Sequence, residues 1–324
     1  MKVERYSLHE LLTDDFPSSE SVVDGLLYIG ENSTLVAPEK SGKTIFGQQL
    51  ALSVVLGIPF AGLWKVKQPR DVLYVSMEGT MHELQSMDKR LLHYMNKYET
   101  DARGKFTLAK VPFLPLDTDE GYESLASVVL DVKPHLLVID PWYRLMKSSM
   151  KDDFVTNLVT ARLNVLQAEN PNHHATFVEH HQHRAKIDPF GGVIEEGRHS
   201  YFGSAFFAAW ANNMYRMEFD KIVKQGTLHA DSERTPRFGL TKALVLYDTP
   251  EDLAFIAEDE PLTEVAQAIL DVIDQVEGKS MREIAKLVQT TQETGRQALR
   301  ELHERGHIKL HGGKRGLAMK VEVR

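Results

Sequence analysis

Cysteine is absent from the 324 residues. That excludes disulfides, a cysteine-based zinc centre and a thiol nucleophile, and it fits a reducing cytoplasm, the expected location. A long apolar run is also missing. The longest mostly apolar stretch, Leu50 to Trp64, is interrupted by Gly57, Pro59 and Gly62 and is too short to span a bilayer. The opening MKVERYSLHELLTDDF holds no apolar stretch, so no secretory signal is expected there. Repeats and long low-complexity tracts are missing too.

What remains is an ordinary globular composition, 42% hydrophobic and 26% charged, with enough chain for one large domain and one small one. Net charge is −8, but it is unevenly spread. Residues 280–324 carry ten Lys/Arg against five Asp/Glu, a surplus of five positive charges, which leaves about −13 for the rest. Any nucleic-acid contact through bulk charge is expected at the C-terminus.

Short β-branched runs at Ser33–Ala37, Asp71–Ser76, His135–Asp140 and Ala175–Glu179 alternate with helical stretches. That alternation predicts an α/β fold, a mainly parallel sheet with helices on both faces. From Met214 the runs shorten. Met214–Asp220, Arg237–Thr241, Leu244–Tyr247 and Leu253–Ala257 read as a meander at one sheet edge. The expected division is a first domain over 1–255, with an arm over about 1–24, a linker over 256–262 and a second domain over 263–324.

The octapeptide Ala37-Pro38-Glu39-Lys40-Ser41-Gly42-Lys43-Thr44 matches the phosphate-binding loop G-x-x-x-x-G-K-[ST] except at its first position, where Ala37 replaces Gly. A strand precedes it and an apolar-faced helix, from Thr44 and Ile45 onward, follows. In such a loop the backbone N–H groups and the helix N-terminus face the phosphates. Gly42 permits close approach, Lys43 reaches the β- and γ-phosphates, and the Thr44 hydroxyl ligates Mg²⁺. ATP and Mg²⁺ are therefore the expected cofactors, held by residues 38–45.

Leu136-Leu-Val-Ile-Asp140 is an apolar strand ending in a carboxylate, the form that delivers an acid to the Mg²⁺ region. Alone it is also the way many buried strands begin a turn. Val72-Leu-Tyr-Val-Ser-Met-Glu78 ends in an acid placed to polarise the attacking water, or in a capping glutamate. The fourth strand closes with a histidine cluster, Glu179-His180-His181-Gln182-His183-Arg184. Alternation along a strand prevents His180, His181 and His183 from simply converging on a metal. A strand-tip side chain sensing the γ-phosphate is the favoured reading, and exposed polar residues are the alternative.

Asp24-Gly-Leu-Leu-Tyr-Ile-Gly30, Leu56-Gly-Ile-Pro-Phe-Ala-Gly62 and Val72–Glu78, in this order, resemble the RepA-type RecA-like ATPases, relatives of plasmid and phage replicative helicases. The resemblance covers about two-thirds of the chain, Ser21 to Val245. It implies a RecA-like core, ATP-dependent activity on DNA, a hexameric ring and a site shared between subunits. It also implies catalytic roles for Lys43, Glu78 and His181, with Asp140 near Mg²⁺ and Arg184 replacing a family lysine. Family members carry Arg-Gly-Ser next, where this chain has Phe202-Gly-Ser204. Arg184 and Arg198 are then the candidates for an arginine acting in trans.

Helical spacing recurs at Glu264–Val276, Ser280–Val288 and Gln292–Glu304, followed by a basic hairpin with Gly312-Gly313 at its tip. This order resembles the winged-helix form of the helix-turn-helix. It implies Gln292, Thr294, Arg296 and Arg300 in a DNA groove, with Lys314 and Arg315 on phosphates. Protein-protein contact is the alternative use of such a module. The whole reads as a DNA-dependent ATPase, a helicase or recombinase-like ring in replication or recombination, whose partners are single-stranded or duplex DNA and proteins of those processes. The competing reading is an ATP-gated DNA-binding regulator or loader with slow hydrolysis.

Overall fold

A computed structural model describes residues 5–13, 15, 19–95, 103–182, 186–187, 193–194, 204–220, 222–230, 242–258, 264–272, 279, 281–304, 308–311 and 320–323. These fall into two compact units, Met1–Glu258 and Asp259–Arg324.

In the first unit the elements run in order: α1 (Leu8–Thr13), β1 (Ser21–Val23), β2 (Leu27–Tyr28), β3 (Asn32–Ala37), α2 (Lys43–Leu56), β4 (Val72–Ser76), α3 (Met81–Met95), β5 (Phe106–Lys110), α4 (Asp119–Val132) and β6 (Leu136–Asp140). A 3-10 turn (Trp142–Leu145) leads to α5 (Asp153–Glu169) and β7 (Ala175–His181). After the two-residue strands β8 (Lys186–Ile187) and β9 (Val193–Ile194) come α6 (Ala205–Trp210), β10 (Asn213–Asp220), β11 (Gln225–Ala230), β12 (Lys242–Asp248) and β13 (Leu253–Glu258). β13 continues to Glu258, so residues 256–258 belong to a strand.

Nine strands form one sheet in the order β13-β12-β11-β10-β3-β7-β6-β4-β5. From β10 to β5 every pairing is parallel, and β10 to β13 are antiparallel. The expected α/β architecture with a mainly parallel sheet is therefore present. The central strands β3, β4 and β6 are buried throughout, as strands covered on both faces require. One face packs against α2 through Phe46, Leu50, Val54, Tyr74, Val138 and Phe177. The other packs against α4, α5 and the 3-10 turn through Leu125, Trp142, Val159, Ile139 and Val178.

Helix α2 is apolar almost all round because it is covered almost all round, by the sheet, by α3 and by β13. Gln49 fastens it to the strand. Its Nε2 donates to Phe255 O at 2.8 Å, and its Oε1 accepts from Phe255 N at 2.6 Å. Gly57, left-handed at φ 69°, ends the helix.

The second unit holds α7 (Glu264–Asp271), α8 (Met281–Leu287), α9 (Gln292–Glu304) and an antiparallel pair, β14 (Ile308–His311) with β15 (Lys320–Val323). Ala266, Ile269, Ile284, Ala298, Leu299 and Leu302 form its core. Their i, i+3, i+4 spacing on α7 and α9 puts one apolar stripe of each helix inward.

Candidate nucleotide site

Parallel register aligns the carboxyl ends of four strands. Ala37 of β3 lies beside His181 of β7, and Asp140 of β6 lies beside Ser76 of β4. Strand β7 is inserted between the strand that feeds the loop and the strand that ends in Asp140. Chain ends from distant parts of the sequence therefore meet along one edge.

The loop leaves β3 at Ala37 and turns through Lys40 (φ 58°) and Gly42 (φ 88°), both left-handed. Glycine is required at 42 twice over. L side chains rarely take that φ, and a Cβ would lie 2.9 Å from Phe255 Cζ. Pro38, Glu39 and Lys40 are exposed, Ser41 and Lys43 are buried, and Gly42, Thr44 and Ile45 are intermediate. Ser41 Oγ donates to Pro38 O at 2.8 Å and tightens the turn. Gly42 supplies no side-chain cap to α2, so the first N–H groups of the helix remain for an anion. Gln182 N donates to Ala37 O at 3.0 Å and ties the end of β7 to the start of the loop.

Lys43 Nζ donates to Pro38 O at 2.7 Å and to Ala37 O at 3.2 Å. Burial lowers this ammonium from the ordinary lysine range, against the pull of the Glu179 and Asp140 carboxylates. Thr44 Oγ1 donates to Asp140 Oδ2 at 2.9 Å, and Tyr74 Oη donates to the same oxygen at 3.1 Å. The two residues expected near Mg²⁺ are thus brought together. Burial raises the Asp140 pKa, while its hydrogen bonds with Thr44, Glu179 and Tyr74 oppose the shift. Glu78 stands just past β4, with Ser76 Oγ donating to its carbonyl at 3.1 Å. Its carboxyl is raised above the usual range by burial and then by Asp140, with Arg144, Lys43 and Lys110 pulling the other way. Tyr143 donates its hydroxyl to Glu78 Oε1.

Alternation on β7 separates the histidines. His180 is buried on the α5 side, its ring 4.7 Å from Phe207 and 6.5 Å from Trp142. His181 lies on the other side at the strand tip, 5.3 Å from the Tyr143 ring. Burial, then the Lys43 charge, lowers the His181 pKa to about 4, so at neutral pH it acts as a neutral hydrogen-bonding group. Among the described residues no group of three metal-ligating side chains comes together, and His183 lies outside them.

Several parts of this cluster had no motif to announce them. Glu179 is fully buried and points into the α2 face beside Asp140. Among the described residues neither of its oxygens meets an N–H or O–H donor. Burial and then Asp140 drive its pKa well above the usual carboxylate range. The one sequence signal was an acid directly after the apolar pair Phe177-Val178 in the strand. Tyr74 and Tyr143 carried no signal at all.

Arg184, Arg198, Lys314 and Arg315 lie outside the described residues. Gln292, Thr294 and Arg296 are exposed in the first half of α9, and Arg300 follows on the same helix. Arg296 pairs with Glu293 at 3.2 Å, and Thr294 N donates to Thr291 Oγ1 at 3.1 Å.

Residues 2–186 match the family model described as AAA domain, more than half of the chain. The chain belongs to this AAA domain family. Its match spans β1 to β7 and so contains the loop, Glu78, Asp140 and His181. No curated protein matches the sequence. Among the solved structures that match is one titled "Crystal structure of the RadB recombinase". It aligns with a TM-score of 0.47 at 15% identity, covering 70% of this chain and 91% of that one.

An AAA domain with this loop is a P-loop ATPase, and ATP with Mg²⁺ is the ligand such a domain takes. The residues present suit it. Thr44 Oγ1 and the Asp140 carboxylate are hard oxygen donors 2.9 Å apart, as Mg²⁺ requires, and the uncapped start of α2 suits a phosphate. No helix among the described residues is long and apolar enough to cross a membrane.

Proposed function

We propose that the chain hydrolyses ATP and couples the reaction to DNA, as a ring-forming helicase or recombinase-like ATPase in replication or recombination. The observation that carries the hydrolytic part is the single sheet edge uniting Lys43, Thr44, Asp140, Glu78 and His181. In this reading the loop N–H groups hold the phosphates, and Lys43 exchanges two carbonyl partners for β- and γ-phosphate oxygens. Bound Mg²⁺, held by Thr44 with Asp140 behind it, supplies neutralisation of the phosphate charge. Glu78 takes a proton from the attacking water as its oxygen bonds to the γ-phosphorus. The bond to the β–γ bridging oxygen breaks, leaving ADP and phosphate. His181 accepts or donates a hydrogen bond at the γ-phosphate and passes its state along β7.

Support for the DNA-directed part is the RepA-type resemblance and the surplus of five positive charges over residues 280–324. The second unit, three helices and a strand pair, fits a winged helix that would present Gln292, Thr294, Arg296 and Arg300 to a groove and Lys314 and Arg315 to phosphates. The test is ATP turnover with and without single-stranded DNA, for the natural chain and Lys43→Ala, with native mass in the same buffers. A Lys43-dependent rate raised several-fold by DNA, with an ATP-dependent ring, is the expected result. Negligible turnover with DNA binding confined to the second unit would overturn the motor.

A second reading has its own observation. Phe202 stands where family members carry an arginine. Without an arginine in trans, hydrolysis is slow and the chain works as an ATP-gated regulator or loader that recognises duplex DNA or a partner protein. Sequence-specific duplex binding, weakened at Arg296→Ala and unaffected by turnover, is its signature.

A further inference from the structure

Glu78 is held by a residue from the turn that follows a different strand. The chain leaves β6 at Asp140 and enters the 3-10 turn at Trp142. The turn is anchored on both sides of Tyr143. Trp142 is 1% exposed, with its ring 4.5 Å from Phe207 and 5.9 Å from Trp210, and Leu145 is fully buried. Backbone bonds from Leu114 N to Arg144 O at 3.2 Å and from Leu116 N to Leu145 O at 2.7 Å fix the turn from a third segment. Tyr143 is therefore aimed by a rigid frame. Its ring is near two groups, the His181 imidazole with centroids 5.3 Å apart and the Arg144 guanidinium 5.2 Å from the centroid. Its hydroxyl donates to Glu78 Oε1. In the sheet, β6 lies between β4, which leads to Glu78, and β7, which carries His181. Tyr143 spans the two from the turn that follows the strand between them.

We propose that Tyr143 is a positioning residue for hydrolysis, holding one oxygen of Glu78 so that the other faces the attacking water. A glutamate has three side-chain torsions, and a group that must meet one water within hydrogen-bond reach loses rate when it samples other rotamers. Lys110 and Arg144 offer competing places for a freed carboxylate, since both pull on Glu78 already. The hydroxyl occupies Oε1 and leaves Oε2 free. The ring contacts with His181 and Arg144 keep the hydroxyl from turning away. This proposal rests on the reading of Glu78 as the base.

The experiment uses the full chain with ATP and Mg²⁺, in natural form and as Tyr143→Phe, Glu78→Gln and the double variant. Tyr143→Phe keeps the ring and removes one oxygen from a half-buried position, so the fold tolerates it. The expected result is a kcat lower by about tenfold with KM and the ATP dissociation constant within about twofold. In the Glu78→Gln background the same change alters the residual rate by less than about twofold, because the group it positions is gone. A natural kcat in Tyr143→Phe, a KM raised in proportion, or a full further loss in the double variant overturns the role of Tyr143. Natural turnover in Glu78→Gln overturns the base assignment itself and is read separately from Tyr143→Phe.

Discussion

Gly47 and Glu179 share one space: a Cβ at position 47 would overlap Glu179 Oε1 and lie 3.3 Å from Tyr74 Oη. The one glycine inside the loop helix thus makes room for the one carboxyl buried inside β7.

The substitution Gly47→Ala tests this pairing. In an open helix it stabilises by about 0.5–1 kcal/mol. Here it is expected to destabilise by about 1–3 kcal/mol, as overpacking does. In a Glu179→Ala background the overlap is gone, and the same substitution becomes neutral or favourable. Urea midpoints of the four proteins measure the coupling, and an unchanged cost in the double variant would refute it.

Gln49 stands in for a neighbouring strand at Phe255. Gln49→Leu leaves a buried N–H and a buried C=O of Phe255 without that partner. A loss of about 2–4 kcal/mol is expected. Urea denaturation gives the value, and a loss below about 0.5 kcal/mol would mean other groups satisfy that backbone.

His174 and Asp88 predict opposite pH dependences of stability. Burial lowers the His174 pKa to about 4, and Asn170 Nδ2 donates to its Nδ1 at 2.8 Å, a bond that an imidazolium cannot accept. Unfolded histidine titrates near 6.5, so the contribution is full above about 6.5 and is lost as pH falls towards about 4. Burial raises Asp88 to about 6. Its contribution is full below about 3.9 and is lost as pH rises through about 6. Asp88→Asn is therefore expected to stabilise above pH 6, by about 1 kcal/mol after solvent screening. Stability of the natural chain, Asp88→Asn and His174→Asn measured between pH 4 and 8 checks each sign.

At the sheet edge, Asp140→Asn keeps an oxygen for the Thr44 hydroxyl and removes the charge. A Mg²⁺ half-saturation raised about 10–100-fold in ATP turnover is expected, with the urea midpoint little changed. An unchanged Mg²⁺ dependence would remove Asp140 from the metal region.

Much of the nucleotide site was legible in the sequence because it is local. Residues 37–44 are contiguous, and the roles expected of Gly42, Lys43 and Thr44 follow from a loop, a positive φ and a helix start within one turn. Asp140 and Glu78 stood out as candidates because each follows an apolar run that marks a buried strand, although Asp140 is itself buried. The histidine cluster was half legible. Alternation on a strand separated His180 from His181, but the packing of His180 on Trp142 and Phe207 had no local trace. Strand β5 went unread because Phe106–Lys110 is only partly buried at the sheet edge, with a polar Thr107 and Lys110.

By itself the sequence determined the α/β alternation, the phosphate loop and the acids at two strand ends, since each depends on residues within a few positions of one another. The tertiary structure decided which strands are neighbours. That order, with β7 between β3 and β6, places Glu179 under Gly47 and beside Asp140, and it brings Tyr143 to both Glu78 and His181. Such contacts join residues far apart in the chain, and side-chain burial there follows from packing two faces of a sheet, which no short run of residues encodes.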